Sequence, residues 1–353
     1  MRVAITVRPQ ANLWDETVTY VQEAERLGAA VCFVPEAWGS DAVTPLAYLA
    51  AKTERILLGS GIMQISARTP AMTAQTALTL ATVSGNRFLL GLGVSGPQVV
   101  EGLHGQPFVH PLGRMRETIA IIRQAFAGER ISLQGRHFQL PRPGGEGKAL
   151  RIDQPANPHI PIYLATLAPK MLVLTGELAD GWLGTSFIPE AAAAYLDHLA
   201  TGAARAGRSL ADLDLSQGGD VALSDDVDAL VAARKPRLAF SLGGMGSAST
   251  NFYNDAYSRQ GWADVAAEVR RLWIAGRRQE AAAIIPADMV LQTTMIGTPA
   301  MVRERLQAWR EAGITTLRVY PAGETLEARL ATLARTIEIV EELNHEHQTP
   351  LGG

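Results

Sequence analysis

The sequence has very little cysteine and no long apolar run. Its single cysteine, Cys32, excludes an internal disulfide framework and a metal site built from cysteines. A lone cysteine fits a reducing compartment, so we expect a cytoplasmic protein. No run reaches the roughly 18 consecutive apolar residues that a membrane-spanning helix requires, and we therefore expect no membrane partner.

The sequence also lacks an excess of charge of either sign. The chain carries 32 Lys and Arg against 35 Asp and Glu, a formal net charge of -3, and it has no basic stripe or polybasic segment. This balance argues against nucleic acid or an anionic membrane surface as a partner. The 7 histidines form no His-x-x-x-His pair, and no metal site is expected.

What the sequence does have is apolar residues in an alternating pattern. Apolar residues make up 47% of the 353 residues, enough for a large buried core. Short β-rich runs alternate with longer helical patterns, which predicts parallel strands joined by helices. Eight such units favour a closed (β/α)8 TIM barrel, with a doubly wound open sheet as the alternative. The predicted strands cover residues 3–7, 31–34, 56–61, 87–92, 160–165, 181–183, 213–223 and 316–320.

We expect one barrel domain over residues 1–343. Residues 225–295 are mostly helical in pattern and too long for a single crossover, which indicates an insertion. Residues 128–158 are rich in Gly and Pro and predict a long loop with room for a hairpin. The polar stretch 344–353 is expected to form a flexible tail.

The ends of the predicted strands are rich in glycine and hydroxyl residues. Barrel enzymes place their chemistry at these carboxyl ends. Residues 91–96 read Gly-Leu-Gly-Val-Ser-Gly and fit the pattern G-x-G-x-x-G. The pattern follows the fourth strand rather than the first, and no ribose-binding acid follows about 20 residues on. We therefore expect a loop that approaches a phosphate or a ring, but not a dinucleotide-binding fold.

Three residues at strand ends are candidates for proton transfer. Glu36 ends the second strand, where a carboxylate accepts a hydrogen bond from a cofactor ring or moves a proton. The alternative for Glu36 is a solvated or arginine-paired side chain. His104 follows the fourth strand with Glu101 three residues earlier, a pair suited to acid–base work near neutral pH. The alternative for His104 is a loop histidine without a role.

The order of these loops resembles the luciferase-like monooxygenase superfamily, in particular its branch that uses coenzyme F420, a deazaflavin. The motif Phe-Val-Pro-Glu-Ala-Trp at residues 33–38 carries this resemblance, together with residues 53–62, which end in Gly-Ser-Gly-Ile, and Arg-Thr-Pro at 68–70. Further matches cover residues 81–93, 95–102, 160–165, 176–182, 296–299 and 312–314. The resemblance spans nearly the whole chain and implies a TIM barrel that holds a deazaflavin or flavin at its mouth.

The resemblance also implies residue roles. Gly61 and Ile62 match a non-proline cis peptide that forms a bulge behind the cofactor ring, and Glu36 matches an acidic position near that ring. Loops around the cofactor tail and phosphate match residues 94–95 and 166–170. The implied cofactor-binding residues are Glu36, Gly61, Ile62, Val94, Ser95, Thr166, Ala168 and Lys170.

One part of the family pattern is missing. The sugar-phosphate dehydrogenases of the family carry a catalytic histidine and glutamate, and the matching positions here are Ala37 and Gly96. We therefore do not expect sugar-phosphate oxidation. The proton donor stays open, with Glu101 and His104 as candidates.

Three functions remain open from the sequence. The first is an F420-dependent oxidoreductase that transfers a hydride to or from a small organic substrate. The second is a monooxygenase that uses reduced FMN, and the third is a relative that binds the cofactor without catalysis. The cationic residues Arg68, Lys170 and Arg114 near the loops suit the longer anionic tail of the deazaflavin. The resemblance further implies a homodimer.

Overall fold

The computed structural model describes residues 1–246 and 250–348, without the side chains of residues 347 and 348. Within these residues, 10 strands form one sheet, and 2 of them are short additions at Met63–Gln64 and Met295–Gly297. The remaining eight strands are β1 Arg2–Thr6, β2 Val31–Val34, β3 Leu57–Ser60, β4 Phe88–Gly93, β5 Ile162–Ala165, β6 Gly181–Leu183, β7 Asp214–Leu223 and β8 Thr316–Pro321.

These eight strands form a closed ring. Each strand pairs in parallel with the next along the chain, from β1 through β8. The ring closes because β8 also pairs with β1, with Arg2 opposite Thr316 and Ala4 opposite Arg318. The closed ring confirms the predicted TIM barrel and excludes the open sheet.

Helices follow the strands, as the alternating pattern predicts. Thr69 and Thr298 cap two of them through their side-chain oxygens, and a proline follows each cap. Gly28 and Gly313 follow two others with φ of 101° and 90°, the left-handed region that commonly ends a helix. The outer helices are Trp14–Arg26, Val43–Ala50, Pro70–Val83, Pro111–Phe126, Pro169–Leu178, Ala193–Arg205, Pro299–Glu311 and Leu326–Gln348.

The region between β7 and β8 is helical, close to where the sequence indicates an insertion. Its helices are Val227–Ala239, Phe252–Tyr257, Ala263–Ile274, Arg278–Ala283 and Ala287–Thr293. Two π-helical segments, Phe240–Gly244 and Ser258–Trp262, lie among them. A second apolar core fills this region and joins it to the barrel through Ala222 and Ile296.

The sequence predicts the loop at residues 128–158 correctly, but it does not predict the end of the last helix. The Gly- and Pro-rich loop contains an antiparallel hairpin formed by Leu133–Gln134 and Gln139–Leu140. The final helix continues to Gln348, so residues 344–348 are helical rather than part of a flexible tail. The rest of the expected tail, 349–353, lies outside the described residues. No helix in the described part of the chain has both the length and the apolar character needed to cross a membrane.

The barrel interior is small and apolar in its middle layer. Ala4, Val31, Phe33, Leu89 and Tyr163 pack together there with Leu183. A much larger apolar core lies between the strands and the outer helices. With the middle of the barrel filled, a ligand has room only at its ends.

Asp214 organises the amino-terminal end of the barrel. Its carboxylate accepts hydrogen bonds from Arg2 and Tyr163, each at 2.7 Å. The hydroxyls of Thr315 and Thr316 donate to it as well. This network ties β1, β5, β7 and β8 together at the end away from the strand carboxyl termini, where barrel proteins place stability rather than catalysis.

Candidate active site at the barrel mouth

The chain bulges directly after β3. The Gly61–Ile62 peptide is cis, as the resemblance implies. The Gly61 amide donates to the Val34 carbonyl at 2.8 Å, and the Ile62 carbonyl accepts from the Glu36 amide at 3.2 Å. The bulge is therefore fixed to the end of β2.

Two glycines of β4 let that strand approach the bulge. A Cβ on Gly91 would lie 1.9 Å from the Ser60 carbonyl oxygen, and one on Gly93 would lie 2.8 Å from the Ile62 side chain. These glycines therefore serve close packing between neighbouring strands. Ile62 and Ala165 are only partly buried and lie on top of the interior cluster. Together they form an apolar platform at the mouth.

Glu36 lies beside this platform in an ion pair. Arg68 donates from Nη1 to Oε1 at 2.6 Å and from Nη2 to Oε2 at 2.8 Å. The Ala42 amide also donates to Oε2, at 3.1 Å. Of the two interpretations of Glu36, the structure shows the arginine-paired side chain. Both of its carboxylate oxygens accept hydrogen bonds within the protein.

His104 reaches the same end of the barrel. Its Nε2 contacts the side-chain amide of Gln64, a buried residue in the short strand after the bulge. Glu101 is exposed, and its carboxylate accepts a hydrogen bond from the Phe108 amide at 3.1 Å. The structure therefore places His104 at the mouth beside Gln64. Glu101 instead stabilises the loop between itself and Phe108.

The predicted tail-binding loops follow β4 and β5. Val94 and Ser95 are partly exposed, and a Cβ on Gly96 would meet open space. After β5, the Thr166 hydroxyl bonds to Thr175 at 2.8 Å and so faces the next helix. The Thr166 carbonyl accepts a hydrogen bond from the Trp182 indole at 2.9 Å, so the hydroxyl and the carbonyl of Thr166 are both engaged within the protein.

The helix Pro169–Leu178 begins at the second of these loops. Ala168 is its N-cap without a side-chain cap, and Lys170 is exposed in its first turn. A helix N-terminus and a lysine both favour an anion. Arg259 of the insertion adds another cation, because its guanidinium donates to the Leu167 carbonyl at 2.7 Å.

The ends of β6, β7 and β8 and the insertion helices enclose a cavity of about 130 Å³. Asp220, Arg234, Arg237, Tyr253 and Tyr320 line it, and we call it the arginine pocket. None of these residues was predicted from the sequence. The sequence pattern that could have indicated the pocket is the alternation of Thr316, Arg318 and Tyr320 along β8. This alternation places polar side chains on the strand face that points into the barrel.

Tyr257 is a buried tyrosine in the wall of the arginine pocket. Burial raises the pKa of its hydroxyl to about 12.

Across the described residues there is no group of three or more His, Cys, Asp and Glu side chains that could hold a metal ion. Cys32 is a free thiol buried in β2.

A closed barrel with an apolar platform, a histidine and cationic loops at its mouth has the architecture of the barrel enzymes, which place their chemistry at the strand carboxyl ends. A family model described as luciferase-like monooxygenase matches residues 1–316. The chain belongs to this family, which makes it an oxidoreductase.

Individual relatives agree with this placement. A Mycobacterium tuberculosis protein provisionally named coenzyme F420-dependent oxidoreductase is 44% identical over 317 residues, covering 88% of this chain and 91% of the relative. A 5,10-methylenetetrahydromethanopterin reductase of Archaeoglobus fulgidus is 30% identical over 330 residues, covering 89% and 92%. The solved coenzyme F420-dependent tetrahydromethanopterin reductase of Methanopyrus kandleri shares the fold, with a TM-score of 0.78 at 23% identity, covering 96% of this chain and 98% of that chain.

Proposed function

We propose that this protein is a coenzyme F420-dependent oxidoreductase that transfers a hydride between the deazaflavin and a small organic substrate. The observation that carries the proposal is the apolar platform of Ile62 and Ala165, which Gly93 makes possible by leaving room for Ile62. An apolar surface at the mouth suits one face of a fused ring. The names of the M. tuberculosis and A. fulgidus relatives support the same cofactor class.

The residues at the mouth fit the two ends of such a cofactor. The platform would support the ring, and Gly96 leaves open space beside the loop after β4. The amino end of helix Pro169–Leu178, with Ala168, Lys170 and nearby Arg259, would bind the anionic tail. The predicted binding residues Val94, Ser95 and Thr166 lie in the two loops between these regions.

When bound, the deazaflavin supplies a hydride acceptor or donor. The chain itself must orient the substrate and manage the proton that accompanies the hydride. We assign the transfer of this proton to His104, whose imidazole ring Gln64 positions at the mouth through a contact with Nε2. Glu36 and Arg68 would act as an oriented pair that shapes the wall beside the platform.

Gly93→Ala tests the platform directly. The added methyl group must displace the Ile62 side chain, which can move, so we expect F420 to bind about tenfold more weakly while the protein stays folded. Gly147→Ala is the matched control, because a Cβ there meets nothing within 4 Å. Equal F420 affinity in Gly93→Ala and the control would remove the platform from the cofactor site.

We also propose a homodimer in the cytoplasm. The family resemblance supports the dimer, and the buried, unpaired Cys32 is compatible with a reducing compartment. Light scattering on the purified protein tests the first point, and fractionation of the producing cells tests the second. A monomer, or recovery outside the cytoplasm, would contradict the respective statement.

A further inference from the structure

The arginine pocket carries excess positive charge. Arg237 donates from Nη1 to Asp220 Oδ1 at 3.2 Å, and Arg234 Nε lies 3.4 Å from Asp220 Oδ2. Two guanidinium groups therefore share one carboxylate. Each guanidinium offers five N–H donors, so most donors stay available for a ligand. The side chains of Asp220 and Arg234 are only 16% and 22% exposed, which strengthens their electrostatic interaction, whereas the Arg237 side chain is 64% exposed.

A third arginine lies beneath this pocket without a counter-ion. Arg318 is 8% exposed and points into the barrel from β8, two residues before Tyr320. Its Nη2 donates to the Gly184 carbonyl, and its guanidinium lies 5.9 Å from the Phe33 ring centre. In the part of the chain that the structure describes, no carboxylate pairs with it, and its Nε makes no hydrogen bond. An unpaired buried cation is costly, and a bound anion would offset that cost.

The size and lining of the pocket suit a small anionic group. Its volume of about 130 Å³ is several times the roughly 30 Å³ that one water occupies in the liquid. Tyr253 and Tyr320 add hydroxyl groups to the guanidinium donors at the wall. Arginine donors paired with hydroxyl groups recognise carboxylates and phosphates by charge-assisted hydrogen bonds.

The pocket lies apart from the loops assigned to the cofactor tail. Those loops follow β4 and β5, whereas the pocket is built on the ends of β6, β7 and β8. In a closed ring of eight strands, β4 lies opposite β8. The pocket and the tail loops come nearest each other where β5 pairs with β6.

We propose that the arginine pocket binds an anionic group of the substrate, so that the substrate is an organic acid or a phosphate ester. This assignment of substrate class rests on the proposed hydride-transfer function, whereas the anion site itself does not. Arg234 and Arg237 contact the anion, and Arg318 supplies unpaired positive charge beneath it. Asp220 keeps the two outer guanidinium groups in place when the anion is absent.

Calorimetric titration of the full chain with inorganic phosphate, acetate and neutral acetamide tests the site. We expect phosphate and acetate to bind at millimolar concentration, and acetamide at least tenfold more weakly. The double variant Arg234→Met/Arg237→Met should lose at least tenfold in affinity for both anions. Arg116→Met is the control, because this arginine pairs with Glu177 on the outer helices. Anion binding that is the same in the double variant and the control would overturn the proposal.

Asp220→Asn provides a second test, because its expected result is a gain in affinity, which a misfolded variant would not produce. Removing the competing carboxylate should tighten phosphate binding severalfold, because the two guanidinium groups lose their internal partner. Weaker or unchanged binding in this variant contradicts the proposed role of the pocket.

Titration with F420 separates the possible sources of the anion. We expect the Arg234→Met/Arg237→Met variant to bind F420 as the unaltered protein does. A large loss of F420 affinity would assign the pocket to the cofactor tail and overturn the substrate assignment. If the unaltered protein binds no F420 but phosphate binding still depends on Arg234 and Arg237, the anion site stands and the proposed function fails.

Discussion

Arg68 holds Glu36 through two parallel hydrogen bonds, 2.6 Å and 2.8 Å long, at the edge of the barrel mouth. The Glu36 side chain is 7% exposed and the Arg68 side chain 20% exposed, so the pair is largely removed from water. This fork-to-fork geometry fixes both side chains in orientation. The pair therefore joins the end of β2 to the segment before helix Pro70–Val83 and leaves no carboxylate oxygen of Glu36 without a partner.

Glu36→Gln should reduce stability, because glutamine replaces the two charged acceptor oxygens with one neutral oxygen. The mostly buried Arg68 guanidinium then loses its counter-ion and one of its hydrogen bonds. We expect a loss of about 1–3 kcal/mol in the free energy of unfolding, measured by urea denaturation. Arg68→Met should cost a similar amount, and the double variant should cost less than the sum of the two. Unaltered stability together with abolished turnover would instead give Glu36 a chemical role.

Gly91→Ala should prevent stable folding of the barrel. The new Cβ would lie 1.9 Å from the backbone oxygen of Ser60, and neither strand can move without breaking the pairing of β3 with β4. We expect a thermal midpoint at least about 10 °C lower, or no soluble protein, whereas Gly147→Ala should behave as the unaltered chain does. A Gly91→Ala protein of normal stability would show that these strands lie farther apart.

His104→Gln should slow turnover without weakening cofactor binding. A positioned general acid or base contributes typically 10²–10⁴-fold to a rate, so we expect a decrease of about 100-fold. Glu101→Gln should leave the rate nearly unchanged, because the Glu101 carboxylate bonds to the Phe108 amide in the loop. Measuring the turnover rate and the F420 affinity of both variants decides between the two residues, since only His104→Gln should lose turnover while it keeps its cofactor affinity. The opposite pattern would make Glu101 the proton donor.

Asp214 should make the protein sensitive to acid. Burial alone would raise the pKa of its carboxyl, but hydrogen bonds from Thr315 and Thr316 and the charge of Arg2 outweigh burial and lower that pKa. A carboxyl with a lowered folded-state pKa stabilises the protein above the unfolded pKa, about 3.9. That stabilisation is lost as the pH falls through the folded-state pKa.

Asp214→Asn should therefore be less stable than the unaltered protein at about pH 7, and the difference should shrink below about pH 4. Urea denaturation at several pH values measures it. Asp197→Asn, at an exposed helix position, is the control and should follow the unaltered protein. A difference that stays constant with pH would mean that the Asp214 charge contributes nothing to stability.

The sequence predicts the barrel well because its signals are local. Most strands contain a short apolar run, and Gly28 and Gly313 end helices where their positive φ is needed. The same reasoning misplaces the end of the last helix, because the polar residues after Leu343 continue it to Gln348 instead of fraying. Asn344 exchanges two hydrogen bonds with the Met1 backbone and Glu346 pairs with Arg303, and these tertiary contacts stabilise the additional turn.

The site is predicted less completely because its contacts span long stretches of chain. Glu36 and Arg68 are 32 residues apart, and a sequence pattern cannot show that they pair. Asp220, Arg234 and Arg318 come from β7, the insertion and β8, and only the folded chain brings them to one end of the barrel. The predicted bulge at Gly61 and Ile62 came from the family resemblance rather than from local physics.

Parallel fluorescence titrations of the purified protein with F420 and with FMN test the central claim most directly. We predict micromolar or tighter binding of F420 and much weaker binding of FMN, because Lys170, Arg259 and the amino end of helix Pro169–Leu178 suit a long anionic tail. Tight binding of FMN with weak binding of F420 would contradict the account and point to a flavin monooxygenase.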